Sequence, residues 1–533
     1  MNHMFLNKII SGCFTIPSGI ITTDVSVLAR IARDIPEIGV LTTKSIGPRP
    51  REGHKEPIFT QYAPGCFMNA VGLTNPGVEE FVRQLQAISL PKHRFLLASI
   101  FGGSVEEYVD VARLLAPYAD GLELNLSCPN AKGLGMAVGQ DPTLVQEITQ
   151  AVKQAVPIPV IPKLTPNVPD ITVIAKAAVA GGADALCGIN SVGPGYYTVD
   201  GYPVLTNTYG GMCGKGILPI GLKSIRAIAD CVDVPLIACG GISSAEDVRA
   251  YRHAGADIFG VGTSLSGLST QELQTFFTAL QRDLEQDSNH AATLLRIPDL
   301  SFRTYHLVEN QPLAADLSIL RFERDILIRP GQFVFVWLPG VGEKPFSVLD
   351  DHPLTLAIQR RGCFSEKLCS LEAGATVYVR GPYGVPLHPP KQQKTVLVGG
   401  GTGFAALYHL AKTQPGTEIF LGAKDARHLF YVEEARKVAP VHIATEDGSV
   451  GRQGAVTALL RHWLRTQKSE EDLVFFNCGP AGMVDAAVAL EELYVPRHHI
   501  YNSIDYVTRC GVGICGSCAT PDGQRLCVDG PFL

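Results

Sequence analysis

Read only for hydrophobic and polar positions, the chain changes texture twice. From residue 1 to about 280, short β-branched runs alternate with longer stretches of helical period. VPIPVIPKL, ADALCGIN, VPLIACGG and DIFGVGTSL predict strands, and DITVIAKAAVAGG, ILPIGLKSIRAIADCV and SAEDVRAYRHAG predict the helices between them. Repeated strand-then-helix units require parallel pairing through crossover helices. Over this length they predict a closed (β/α)8 TIM barrel, the alternative being an open doubly wound sheet. The polar stretch 281–291 breaks the pattern and reads as a linker.

From about residue 295 to 390, LSILRFERD, GQFVFVWLPG, PLTLAIQRRG and ATVYVRGPYG show alternating, β-rich patterns with Gly and Pro between them. They predict a small antiparallel β-barrel. Strand and helix alternate again from about 394, in KTVLVGGGTGFAALYHLAK, EIFLGAK, VHIATEDG and DLVFFNCGPAGMVDAAVALEEL, which predicts a second α/β domain. The remainder is cysteine-rich and loop-like. The expected organisation is therefore α/β: a barrel over 1–282, a β-barrel over 295–392, an α/β domain over 393–500 and a tail over 501–533.

Composition narrows the function classes. The 533 residues carry 45 Lys+Arg against 51 Asp+Glu, a net charge of −6, and 46% are hydrophobic. That supports buried cores, excludes a disordered chain and, with no basic run of five, argues against a nucleic-acid surface. No run of about 18 apolar residues predicts a membrane span. The N-terminal MNHMFLNKIISGCFTIPSGII is broken by Ser, Gly and Pro before the apolar run of a signal peptide could form. Fourteen cysteines, mostly scattered, fit reduced thiols and a cytoplasmic location.

Four of those cysteines stand apart. Cys510-GVGI-Cys515-GS-Cys518, with Cys527 after eight more residues, has the plant-type [2Fe–2S] spacing, in which a Gly-rich loop folds around the cluster. A structural zinc knuckle or unliganded thiols are the alternatives. A second motif lies between a strand and a helix, where Gly399, Gly400, Gly401 and Gly403 would let backbone N–H groups approach a pyrophosphate. A later Cys478-Gly-Pro480 follows the strand DLVFF. In the front half, Glu123-Leu-Asn125-Leu-Ser127-Cys128-Pro129-Asn130 offers carboxamides suited to reading a planar ring, with a thiol on a loop where barrels carry chemistry. Gly240-Gly241 and Gly262-Thr263 follow consecutive late strands and favour the phosphate of a flavin mononucleotide, FMN.

The small barrel, the Gly-rich turn and Cys478-Gly-Pro480 together resemble the ferredoxin reductase-like flavoprotein module, a flavin barrel followed by a nicotinamide domain. In that family an Arg-x-Tyr/Phe-Ser strand holds FAD. The matching run here is Lys344-Pro345-Phe346-Ser347, whose lysine keeps the charge but loses bidentate phosphate binding. Gly362 and Ser365 fall at the second flavin loop, and Cys478 would lie beside the nicotinamide of NAD.

The whole set resembles the dihydroorotate dehydrogenase family across essentially the full chain. The matching pieces include Thr43-Lys44-Ser45, the run NAVGLTNPG from Asn69 to Gly77, ELNLSCPN, Lys163, Ile189-Asn190-Ser191 and Gly240-Gly241-Ile242. The second half resembles the electron-transfer subunit of the NAD-linked class, including the ending Cys527-Val-Asp-Gly-Pro531; that class normally uses two chains, and the resemblance implies that they are fused here.

This resemblance implies oxidation of dihydroorotate to orotate in pyrimidine biosynthesis. Cys128 would remove the C5 proton as a hydride leaves C6 for N5 of FMN. Asn69, Asn125, Asn130, Asn190 and Ser191 would hold the pyrimidine, Lys44 would lie near substrate and flavin, and Lys163 near the flavin N1/O2 edge. Ser18, Gly19, Gly214, Gly240, Gly241, Gly262 and Thr263 would line the FMN site. Electrons would pass from FMN through the cluster to FAD and NAD, and a homodimer through the barrel is expected. Lys344, a short Cys518–Cys527 gap and Gly214-Lys215-Gly-Ile217 depart from the family's pattern. GMAVGQDP and KLTPNV also resemble dihydropyrimidine dehydrogenase, but that family has His where Asn130 stands and lacks NAVGLTNPG. A reductase serving an external acceptor is the other rival.

Overall fold

The computed structural model describes residues 3–6, 8–126, 136–390, 393–467, 473–503 and 505–533. They form two compact units, one of Met1–Asp299 with Val512–Arg525 and the other of Leu300–Gly511 with Leu526–Leu533.

In the first unit eight parallel strands close a barrel in chain order. They are β1 (Phe14–Thr15), β2 (Val40–Thr42), β3 (Phe95–Ile100), β4 (Gly121–Asn125), β5 (Val160–Leu164), β6 (Leu186–Gly188), β7 (Leu236–Cys239) and β8 (Ile258–Gly260). Every residue of β3, β4 and β5 is buried, as strands covered on both faces require. Helices follow the strands where the periodicity predicts them, at Ile171–Ala180, Leu218–Ala229 and Ala245–His253.

One expectation fails at the end of the barrel. The stretch read as a linker from residue 281 is helical as far as Gln286, within a helix Thr270–Gln286 opened by a Ser269/Glu272 capping box. Asp283 is fully buried there and accepts hydrogen bonds from Ser288 Oγ (2.6 Å) and the Ala291 N–H (2.6 Å). A buried cap and an exposed polar face have the same hydropathy as a linker, so the pattern alone could not separate them. A four-stranded antiparallel sheet also went unforeseen. Its order is Val192–Tyr196, Tyr209–Gly214, Cys66–Asn69, Phe59–Ala63.

The second unit begins with a seven-stranded antiparallel sheet, in the order Gly342–Ser347, Phe333–Leu338, Thr376–Tyr383, Arg303–Ala314, Leu317–Phe322, Leu354–Gln359, Asp350–Asp351. The long strand Arg303–Ala314 pairs first with Thr376–Val379 and then with Leu317–Phe322, bending round one core that holds Tyr305, Leu320, Val334, Leu356 and Val379. The first and last strands are not paired with each other, so the expected barrel is not closed by hydrogen bonds. A parallel six-stranded sheet follows, built on Lys394–Gly400, Glu418–Ala423, Val441–Thr445 and Leu473–Cys478 with two outer strands.

The cysteine-rich tail divides between the units. Val512–Arg525 joins the first, where the Ile514 carbonyl accepts from the Ile21 N–H (2.7 Å) and the Val512 carbonyl from the Gly267 N–H (2.9 Å). The final residues join the second, where Asn502 and Leu533 exchange backbone hydrogen bonds of 2.9 and 3.1 Å.

Candidate active site

In the first unit a cavity of about 450 Å3 opens at the carboxyl ends of the barrel strands, the face where such barrels carry chemistry. Its wall takes Ser18 and Gly19 from the turn after β1, Lys44 from the turn after β2, and Asn125 and Lys163 from the ends of β4 and β5. The turns after β6, β7 and β8 add Asn190 and Ser191, Gly240 and Gly241, and Gly262 and Thr263. Asn69 and Gly214 enter from the antiparallel sheet. Cys128 and Asn130 lie outside the described residues.

Two buried cations dominate the electrostatics. Lys44 and Lys163 are only 4% and 5% exposed. Lys163 Nζ lies 2.9 Å from Ser18 Oγ and 3.7 Å from Glu123 Oε1. Burial is the largest single influence and lowers its pKa, but the acidic groups around it, Glu123 foremost, together hold it above the ordinary lysine value of 10.5. Lys163 is therefore a permanent cation. Glu123 is itself 1% exposed and accepts from Ser99 Oγ at 2.8 Å. On the carboxamide side, Asn125 Nδ2 donates to Ser45 Oγ (2.9 Å) and Asn190 Nδ2 to Asn125 Oδ1 (3.3 Å), while Asn69 Nδ2 donates to the Gly211 carbonyl (3.2 Å).

Thiols complete the wall. Cys213 faces the cavity with its pKa pushed up to about 11 by burial, so it stays protonated. Cys239 also lines it, with Cys187 behind it at 4.0 Å between sulfurs. The late glycine turns suit a phosphate. Gly241 has φ +74°, and a Cβ there would fall 2.8 Å from Leu218 Cβ and 3.0 Å from the Gly214 carbonyl. Only glycine lets that backbone face the cavity. Lys215, one of the departures from the family pattern, lies at the rim with Nζ 2.7 Å from Asp247 and 3.2 Å from Ser243 Oγ.

The second unit has its own cavity of about 630 Å3. Pro345, Phe346, Ser347, Gly400, Gly401, Gly403 and Cys478 line it. Lys344, Gly362, Ser365 and Gly399 are not in the described wall: Lys344 is exposed on its strand, and Gly399 packs beneath the turn against Leu407 and Leu421. Ser365 Oγ accepts from the N–H groups of Arg361 (2.9 Å) and Gly362 (3.2 Å), fixing a loop that puts Arg361 into the wall. Arg361 Nη1 there meets Asp505 Oδ2 at 2.5 Å. Burial pushes the Cys478 thiol up to about 12, so it too stays protonated.

Cys510, Cys515, Cys518 and Cys527 are all at most 5% exposed and none is disulfide-bonded. Cys515 also lines the barrel cavity. Among the described residues no three His, Cys, Asp or Glu side chains converge on a single ion. Four buried thiols with this spacing have the donor chemistry of a two-iron, two-sulfur group, whose ligands come in pairs.

The sequence pattern assigns no role to Glu123, Ser45, Ser99, Cys213 or Arg361. Glu123 carried a usable signal, a charge inside the apolar strand GLELN. Ser99 carried none, because a serine within FLLASI looks like ordinary strand composition.

A closed parallel barrel with lysines, carboxamides and glycine turns gathered at its carboxyl end has the layout of a barrel enzyme. The chain belongs to the dihydroorotate dehydrogenase family, whose model matches residues 1–282. It is 43% identical over 252 residues to the "Dihydroorotate dehydrogenase B (NAD(+)), catalytic subunit" of Methanocaldococcus jannaschii, covering 46% of this chain and 81% of that relative. The protein of the same name from Methanosarcina acetivorans is 43% identical over 250 residues, 46% of this chain and 80% of its own length. That from Pyrococcus horikoshii is 44% identical over 232 residues, 43% and 74% of the two chains. A solved structure described as "Insights into flavin-based electron bifurcation via the NADH-dependent reduced ferredoxin-NADP oxidoreductase structure" is 26% identical, covering 43% of this chain and 87% of its own at a TM-score of 0.39, too distant to bear on the fold.

Proposed function

We propose that this chain oxidises dihydroorotate to orotate with NAD+ as the final acceptor, its electron-transfer module lying in the same polypeptide. The observation that carries the reading is the barrel cavity. One wall presents Lys44, Lys163 and the carboxamides of Asn69, Asn125 and Asn190; another presents the glycine turns after β7 and β8; and Cys515 of the cysteine-rich tail stands in the same lining. Its volume lies in the range of small-molecule and cofactor sites.

The residues present fit FMN in the barrel. Gly240, Gly241, Gly262 and Thr263 would take its phosphate, and Ser18, Gly19 and Lys163 would face its ring. Phe346, Ser347, Arg361 and the Gly399–Gly403 turn would hold FAD and NAD in the second unit, and Cys510, Cys515, Cys518 and Cys527 a [2Fe–2S] cluster. When bound, the flavins exchange electron pairs with substrate and NAD while the cluster carries single electrons between them.

The chain's own residues supply the rest. Cys128 takes the C5 proton, and it must be partly deprotonated to do so. Lys163, kept cationic by Glu123, stabilises negative charge that develops at the edge of the bound ring. The asparagine carboxamides present donors and acceptors to the ring amides and so fix its orientation. A second copy joined through the barrel is the expected partner, and a cytoplasmic location belongs to the same proposal. Among the described residues no helix is long and apolar enough to cross a membrane.

Steady-state assays on the purified chain test the reading. Dihydroorotate with NAD+ should yield NADH and orotate. Consumption of NADH by uracil without turnover of dihydroorotate would replace it with pyrimidine-base reduction.

A further inference from the structure

Glu123 has no place in the mechanism above except as the neighbour of Lys163, yet it is among the most enclosed charges in the barrel. Strand register explains how it reaches two partners. Across β3 it is paired with Ser99, and across β5 the pairing Asn125 with Lys163 puts the lysine two residues along the same face. The carboxylate accepts from Ser99 Oγ at 2.8 Å and lies 3.7 Å from Lys163 Nζ.

The Ser99 bond begins a chain whose direction can be worked out. A carboxylate only accepts, so the one Ser99 proton goes to Glu123. Ser99 Oγ and Ser45 Oγ are 2.9 Å apart, and Ser99 can then only accept, so the Ser45 proton goes to Ser99. Ser45 Oγ is left as an acceptor for the amide nitrogen of Asn125 at 2.9 Å. That turns Asn125 Oδ1 towards Asn190, whose Nδ2 donates to it at 3.3 Å, while Asn190 Oδ1 accepts the Ser191 N–H at 2.8 Å. Four consecutive hydrogen bonds thus run from Asn190 to Glu123, all pointing at the carboxylate. Ser45, Ser99, Glu123 and Asn125 are at most 8% exposed, so the inner part of the chain, from Ser45 to Glu123, is shielded from solvent.

We infer that Glu123 is a positioning residue with two outputs: through Ser99 and Ser45 it anchors the far end of the chain that fixes the Asn125 carboxamide, whose near end the Ser191 N–H anchors through Asn190, and as counter-ion of Lys163 it sets how much positive charge the flavin feels. The inference rests on the proposed FMN and dihydroorotate sites and deepens them. A neutral side chain of the same shape at position 123 undoes both outputs. Glutamine can donate to Ser99, which allows the two serine protons to turn towards the Asn125 amide and loosens the hold on its carboxamide. It also leaves the Lys163 charge unopposed, which favours the reduced, more negative flavin.

The test uses purified full-length protein, orotate as probe and two readouts, orotate affinity from the change in flavin absorbance and the two-electron flavin potential from spectroelectrochemical titration. Glu123→Gln should weaken orotate binding about tenfold and shift the flavin equilibrium about tenfold towards reduction, a positive change of about 30 mV for a two-electron couple. Ser99→Ala breaks the chain but keeps the Glu123–Lys163 pair, so orotate binding should weaken while the potential stays put. Glu123→Asp should restore part of both losses. A Glu123→Gln protein that retains FMN with the parent's affinity and potential overturns the inference. If that variant does not fold, a Ser99→Ala protein with the parent's orotate affinity overturns it. An unsubstituted protein that holds FMN but takes no orotate overturns the proposed substrate and this inference with it, and so is told apart from a failure of the variants alone.

Discussion

The most demanding electrostatic arrangement in the second unit is the pair Arg380–Glu343, and its removal gives a sharp stability prediction. The two side chains are 2% and 1% exposed and meet twice, Nε to Oε1 at 2.5 Å and Nη2 to Oε2 at 2.8 Å. The guanidinium stands 4.1 Å from the centre of the Phe335 ring and donates from Nη1 to the carbonyl of Cys510 at 3.0 Å. Burial is the largest single influence and opposes its charge, but Glu343 and Tyr383 together outweigh it and raise the arginine above its ordinary value. Arg380→Met would strand a carboxylate in a low-dielectric interior, at a cost of about 3–5 kcal/mol. For a body of this size, that lowers the midpoint of thermal unfolding by roughly 6–20 °C. Replacing both partners, as in Arg380→Met with Glu343→Met, leaves no orphaned charge and should restore stability to within about 1 kcal/mol of the parent. Scanning calorimetry of the full chain measures all three proteins. A single variant as stable as the parent, or a double variant as unstable as the single, would refute the assignment of the pair as a mutually dependent buried ion pair.

Other outcomes follow from the same geometry. Cys128→Ala should keep flavin and cluster absorbance while dihydroorotate turnover falls by about a hundredfold or more, and unimpaired turnover would remove the base assignment. Elemental analysis should find about two irons per chain, reduced by Cys515→Ser, and zinc in their place would sink the electron path. Lys163 has a folded-state pKa above its ordinary value, so its stabilising charge is complete below about pH 10.4 and lost only as pH rises beyond that point. The basic limb of the rate profile below that pH should therefore survive Lys163→Arg unchanged; a shifted limb would mean that the lysine itself titrates.

The barrel was legible because its determinants are local and repeated. Strands such as VIPKL and helices such as ITVIAKAAVA carry their period in their own residues. The inserted sheet was not legible. Its strand Val192–Tyr196 holds two glycines and a proline, and its neighbour Tyr209–Gly214 holds three glycines, so neither has strand composition. At the site, glycine turns and lysines ending apolar strands stood out against their surroundings. Ser99 and Ser45 are informative only in pairs across strands, which no linear pattern records. Lys344 shows the reverse: its motif led to it, but the strand leaves it exposed while Arg361, outside any motif, enters the cavity wall.

The tail has a consequence for how the molecule is made. The barrel's own cavity is walled in part by Ile514 and Cys515, and buried Arg525 donates to the carbonyls of Leu268 and Gly513 at 2.9 Å each. A ribosome delivers those residues only after the whole stretch Leu300–Gly511 has been made, so the barrel segment waits through 212 further residues of translation with one wall missing. Synthesis therefore sets an order in time: the barrel strands can assemble early, but the cavity is walled only once the tail has arrived.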